Sequence, residues 1–130
     1  MMGMEKFPAV APVEMQIDEL DADITRVRLS GRMDYAGASE IDAQFMELAG
    51  RDKLLLVDLS KVAFLASMGI RTLIMAAKVL KARGDRMVLF SPDMMVAKVL
   101  QTSGTDILIS VYYDLALACR ALQAARAPKS

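Results

Sequence analysis

Residues 53–74 read Lys-Leu-Leu-Leu-Val-Asp-Leu-Ser-Lys-Val-Ala-Phe-Leu-Ala-Ser-Met-Gly-Ile-Arg-Thr-Leu-Ile. The first part, Lys53 to Leu59, is short and almost continuously apolar. Such a run marks a strand buried on both faces, as in a parallel sheet covered by helices. From Ser67 the period changes. Ile70, Leu73, Ile74, Ala77 and Leu80 recur at helical spacing, and Lys81, Arg83 and Gly84 supply cationic and stop signals at the far end. The stretch therefore predicts a central strand feeding a helix over Ser67–Ala82. A single hydroxyl, Ser67, stands where the helix begins and fits the N-cap position.

Upstream, Glu14 to Glu19 alternates polar and apolar residues, and Ile24 to Leu29 alternates again after the turn-forming Asp21-Ala22-Asp23, which predicts a β-hairpin. Gly31 breaks the second strand, and Ile41, Phe45, Met46 and Leu48 give a helix over Ala36 to Leu48. Asp58-Leu59-Ser60 reads as a turn closing the central strand. Downstream, Arg86 to Phe90 is a short strand. Ser91, Pro92 and Asp93 read as an N-cap, a first helical residue and a first-turn acid, of a helix that ends near Ser103 with Gly104 beyond it. Ile107 to Val111 reads as a last strand and Asp114 to Ala125 as a last helix. The order is β-β-α-β-α-β-α-β-α. Strands alternating with helices predict an α/β fold, a mixed and mostly parallel sheet with an N-terminal antiparallel hairpin. One domain is expected over 14–125, behind a short N-terminal extension at 1–13.

Composition narrows the chemistry. Sixteen basic and sixteen acidic side chains cancel, so the chain lacks the basic footprint of nucleic-acid binding. There is no histidine and only one cysteine, Cys119. His-based triads, His metal ligands and Cys-rich zinc sites are therefore excluded. Neither Gly-x-Gly-x-x-Gly nor the triphosphate loop signature occurs. The expectation is a binding module, not an enzyme, with no cofactor and no metal. No apolar run reaches the length of a membrane span, and Met1 to Pro12 lacks the apolar core of a signal peptide. A cytoplasmic protein is expected, with Cys119 as a small packed residue in a reducing compartment.

The element order and the segment from Asp58-Leu59-Ser60 to Gly69-Ile70 resemble the STAS domain of anti-sigma factor antagonists, over about Glu14 to Leu122. In that family a strand ending in an Asp-Leu-Ser-like turn leads to a motif Asp-Ser-x-Gly-Leu, which reads Ala66-Ser67-Met68-Gly69-Ile70 here. Ala66 stands where the family has an acid. Gly31-Arg32-Met33-Asp34 is similar to the family's Gly-x-Leu-Asp element, and Ser91-Pro92 with Val96 and Leu100 to its third-helix entry. The resemblance implies phosphorylation of Ser67 by a cognate anti-sigma factor serine kinase, which the bare protein binds and the phosphorylated protein releases. It also implies a phosphatase acting on phospho-Ser67, and partner contacts around Ala66 and Gly69. STAS domains also serve as non-switching scaffolds and adaptors in signalling assemblies and transporters, which is the alternative. A weaker third reading is a small-ligand sensor in the loops at the strand ends.

With Ile70, Leu73, Ile74 and Ala77 turned inward, helical spacing puts Met68, Arg71, Thr72, Met75 and Lys78 on an exposed stripe, the expected docking face. Methionine suits a surface that must fit a partner. Asp34 follows the second strand, and in this topology its loop is expected at the same end of the sheet as Ser67. Asp34 is a candidate to contact the kinase or to stand in for the missing acid; its other reading is a helix cap.

Overall fold

The computed structural model describes residues 13–51 and 53–126. Two strands at the start, β1 (Glu14–Glu19) and β2 (Ile24–Met33), form the hairpin. They are followed by α1 (Tyr35–Ala49), β3 (Leu54–Leu65), α2 (Ser67–Ala82), β4 (Met87–Phe90), α3 (Met94–Thr102), the short α4 (Thr105–Leu108), β5 (Val111–Tyr112) and α5 (Leu115–Ala124). The sheet runs β1-β2-β3-β4-β5, antiparallel between β1 and β2 and parallel elsewhere. This is the α/β architecture that the sequence predicts, with the hairpin at the edge. The expected extension at 1–13 lies outside the described residues up to 12; Val13 is buried against the core.

Alternation along the strands sorts the two faces of the sheet. One face carries Val27, Leu29, Leu55, Val57, Leu59, Met87 and Leu89, which pack under Phe45 and Leu48 of α1, Leu73 and Leu80 of α2, and Val96 and Leu100 of α3. The other face carries Ile24, Leu54, Leu56 and Val88 beneath Ala118 and Leu122 of α5. Leu54 to Val57 are thus buried on both sides, which is why that run shows no alternation. Each such side chain contributes about 1.5–3 kcal/mol by leaving water. Where α5 does not reach, the second face is polar. A depression of about 540 Å³ lined by Glu14, Gln16, Arg28, Asp58 and Lys61 lies there.

Four local expectations are corrected. Gly31 does not end β2; it passes through at φ 90, a left-handed backbone that glycine adopts without strain. Asp58-Leu59-Ser60 is not a turn, because β3 continues for 12 residues to Leu65. Between Asp58 and Leu65 the pairing with β2 shifts twice, each time with one more residue on β3. These bulges move the buried positions to Leu59, Val62 and Leu65, a spacing of three that hides the strand from a test for alternation. Third, Asp93, not Ser91, caps α3, accepting from the Val96 N–H at 2.8 Å. Ser91 instead turns the chain at φ 54, and starting the helix beyond Pro92 directs Val96 and Leu100 to the core. Fourth, of the strand expected at Ile107–Val111, Ile107 and Leu108 belong to α4, and only Val111, with Tyr112, pairs with β4.

One ion-pair cluster ties α5 to the rest. Asp85, after α2, accepts from Arg126 Nε at 2.8 Å and Nη2 at 3.0 Å, and from Arg83 Nε at 2.6 Å. Its side chain is 7% exposed. The bond from Arg126, with help from Arg83, holds its carboxyl below the usual carboxylate range against the opposing effect of burial. A depressed carboxylate stabilises the fold above its unfolded pKa, near 3.9, and loses that contribution as pH falls through the lower folded value. Asp85→Asn is expected to cost about 2 kcal/mol, roughly 6–8 °C in Tm, at neutral pH. The gap should narrow below about pH 4. Thermal melts of both proteins between pH 7 and pH 3 check this; a constant gap would mean that charge is not what Asp85 supplies.

Candidate functional site

β2 and β3 run parallel and end side by side, with Met33 opposite Leu65. The junctions that follow them, at Asp34 and Ser67, therefore lie at the same end of the sheet. The Ala66 N–H donates to the Met33 carbonyl oxygen at 2.9 Å, joining the two directly. Asp34 caps α1: Oδ1 accepts from the Gly37 N–H at 2.8 Å and Oδ2 from Arg32 Nε at 3.1 Å. The backbone bond first, and Arg32 second, hold its carboxyl below the usual carboxylate range. One acceptor site on each oxygen is thus used within the chain, as the cap reading expects.

Both helices are pressed against the end of β2 through a glycine at their third position. A Cβ on Gly37 would lie 2.2 Å from the Arg32 carbonyl oxygen, and one on Gly69 would lie 2.9 Å from the Met33 carbonyl oxygen and 2.7 Å from Leu65 Cδ1. Gly69 is buried. Its part is to let α2 sit this close, and it presents no side chain to a partner.

Ser67 is not the cap of α2. Ala66 holds that position in an extended conformation, with its carbonyl accepting from the Ile70 N–H at 3.0 Å and with no side-chain cap bond. The helix begins one residue earlier than the N-cap reading requires, because Ala66, tied back to Met33, takes the cap position. Ser67, the first helical residue, is exposed, and its hydroxyl has no hydrogen-bond partner among the described residues. By contrast α1, α3 and α5 are each capped by an aspartate: Asp34, Asp93 and Asp114.

The exposed stripe is narrower than spacing predicts. Thr72 is 1% exposed; its Oγ1 lies 3.0 Å from Asp42 Oδ1 of α1 and 3.1 Å from the Met68 carbonyl oxygen. Met68 is half-buried against the core. The fully buried face is Gly69, Thr72, Leu73, Ala76 and Leu80, while Ile70, Ile74 and Ala77, expected inward, are half-buried. The small Gly69 and Ala76 let α2 roll toward α1, where Asp42 satisfies the threonine. Ser67, Arg71, Met75 and Lys78 remain exposed.

Beside Ser67 an open groove of about 430 Å³ runs between α2 and α3, lined by Leu65, Ala66, Ser67 and Ile70 on one side and Lys98, Val99, Thr102 and Ser103 on the other. The α3 residues were not singled out from sequence. Their signal was the outward spacing left once Val96 and Leu100 turn to the core. Around the same end of the sheet Tyr35, Phe64, Met94, Met95, Tyr113, Leu115 and Leu117 are exposed, and the Arg32 guanidinium lies 4.9 Å above the Phe64 ring centre. Among the described residues, no group of three or more potential ligands gathers as a metal site would require, and no helix is long and apolar enough to cross a membrane. Cys119, on α5, packs against the cluster of Ile24, Leu54, Leu56 and Val88, and burial, with Asp21, pushes its thiol pKa up.

The STAS domain pattern matches residues 15–118, which spans both junctions and the groove. The chain belongs to the STAS domain family. An anti-sigma factor antagonist from Mycobacterium paratuberculosis has the same fold, with a TM-score of 0.78 at 20% identity, over 88% of this chain and 98% of that one. The Bacillus cell fate determinant SpoIIAA in its phosphorylated form gives a TM-score of 0.64 at 20% identity, over 83% of this chain and 99% of that one. The murine anion transporter Slc26a9 is also similar, with a TM-score of 0.66 at 16% identity, over 89% of this chain but 23% of that one. No curated protein matches the chain. At these identities the structural likeness is one of fold, and what this STAS domain does rests on its own residues.

Proposed function

We propose that this STAS domain is an anti-sigma factor antagonist that binds an anti-sigma serine kinase in the cytoplasm while Ser67 is bare and is released when Ser67 is phosphorylated. Sigma-factor-dependent transcription is then controlled indirectly. The observation that carries this reading is the Ser67 hydroxyl: exposed, without a hydrogen-bond partner among the described residues, and in the place of the family motif's serine. The kinase brings ATP and its metal. Ser67 Oγ forms a bond to the γ-phosphorus, the bond to the departing ADP breaks, and the hydroxyl proton leaves to a base of the kinase. A phosphatase returns the bare serine by hydrolysis. The domain itself performs no catalysis; its docking face is the stripe Arg71, Met75 and Lys78 with the adjoining groove, where Ala66 lies. Phosphorylation adds about −1.5 to −2 charges at that face, which repel a partner fitted to the bare surface.

The test is intact-mass and phosphopeptide analysis after incubation with ATP and the serine-kinase anti-sigma proteins of the same organism, with Ser67→Ala as control. One phosphate, absent from the Ala protein, is expected. The similarity to the Slc26a9 STAS region, together with Ala66 in place of an acid, favours a second reading, a non-switching scaffold or adaptor. A stable complex that carries no phosphate and is insensitive to Ser67→Glu would establish that reading instead.

A further inference from the structure

Among the described residues Arg71 has no counter-charge. It is exposed, and among the described residues it makes no ion pair or hydrogen bond. Its helix carries three cations, Arg71, Lys78 and Lys81, and no acid. Arg71 also stands four residues after Ser67, on the same face. Helical side chains lean toward the N-terminus, so a guanidinium at this position has the serine at i−4 within its reach. The charged groups on neighbouring elements include Glu40 and Asp42 on α1, the latter engaged by Thr72, Arg32 and Asp34 at the end of β2, paired with each other, and Lys98 on α3, which lines the same groove as Ser67.

We propose that Arg71 is the internal counter-ion of phosphorylated Ser67, folding back one helical turn onto the phosphate and so leaving the docking face. This rests on the reading of Ser67 as the modified residue and adds to it how the face is switched. Modification then does more than add an obstructing charge, because it also withdraws the cation that the bare face offers. Arginine suits this better than Lys98: its planar fork donates to two phosphate oxygens at once, and it is held at i+4 by the same helix.

The experiment places phosphoserine at position 67 during translation, so that no kinase is needed, and follows the phosphate's second ionisation by phosphorus NMR. A nearby cation favours the dianion and lowers this pKa, so removing the cation raises it. Arg71→Gln is expected to raise it by about 0.3 unit, the size of an i,i+4 ion pair, and Lys98→Gln to raise it less. Both side chains are exposed, and melting of the unmodified variants checks that the fold is kept. An unchanged pKa in Arg71→Gln, or a larger shift in Lys98→Gln, would overturn the assignment. The two readings fail separately. A flat titration with successful kinase labelling removes the counter-ion and keeps the switch, whereas a clear shift with no kinase labelling keeps the counter-ion and removes the switch.

Discussion

Gly37→Ala is expected to destabilise the protein by about 3 kcal/mol, or roughly 10 °C in Tm. Helix propensity alone predicts the opposite sign, since alanine is favoured over glycine inside a helix by about 1 kcal/mol. The steric cost wins because the atom in the way is backbone. The added Cβ would meet the Arg32 carbonyl oxygen at 2.2 Å, with Val13 Cγ1 at 3.2 Å behind it. A carbonyl in a paired strand cannot swing aside as a long side chain can, so α1 must lift off the end of β2. Gly50→Ala is the control: its Cβ would meet nothing closer than 3.4 Å, in a right-handed backbone at φ −78, and little change is expected. Urea unfolding of the three proteins decides the matter. A stabilised Gly37→Ala protein would show that α1 does not sit as described.

The second large effect concerns binding. Arg71→Glu combined with Met75→Asp is expected to weaken the complex with the proposed anti-sigma partner by at least 30-fold, the loss of a hot spot of about 2 kcal/mol or more. The Tm should stay unchanged, because both side chains face solvent. Titration calorimetry gives the affinity and a thermal melt the stability. Met68→Asp would not serve, since Met68 packs on the core and its loss would mix unfolding with binding. Unchanged affinity in the double variant would remove the stripe from the docking face.

The fold was legible wherever burial follows a simple period. Leu54 to Val57 lie under helices on both sides, and Ile41, Phe45, Leu73 and Leu80 mark the inward faces of α1 and α2. It was not legible where backbone geometry breaks the period. The bulged end of β3 buries every third residue, and Pro92 separates two residues that can each cap α3. The place of Ser67 at a strand–helix junction was legible as well, but its freedom from capping was not, because that depends on Ala66 being tied to Met33 across the sheet. Thr72 was misread for a similar reason. A threonine scores as polar until a partner such as Asp42 comes from another helix.

The way α5 is held sets an order of events during synthesis. Ile24, Leu54, Leu56 and Val88 are covered by Ala118 and Leu122, and Arg126 reaches back to Asp85. These strand residues leave the ribosome well before their lid. At about 5–20 residues per second, roughly 2–8 s separate Val88 from Arg126. During that interval one side of the nascent sheet stands open to chaperones and to neighbouring chains, while the side that carries Ser67 already has α1 and α2 and gains α3 on the way.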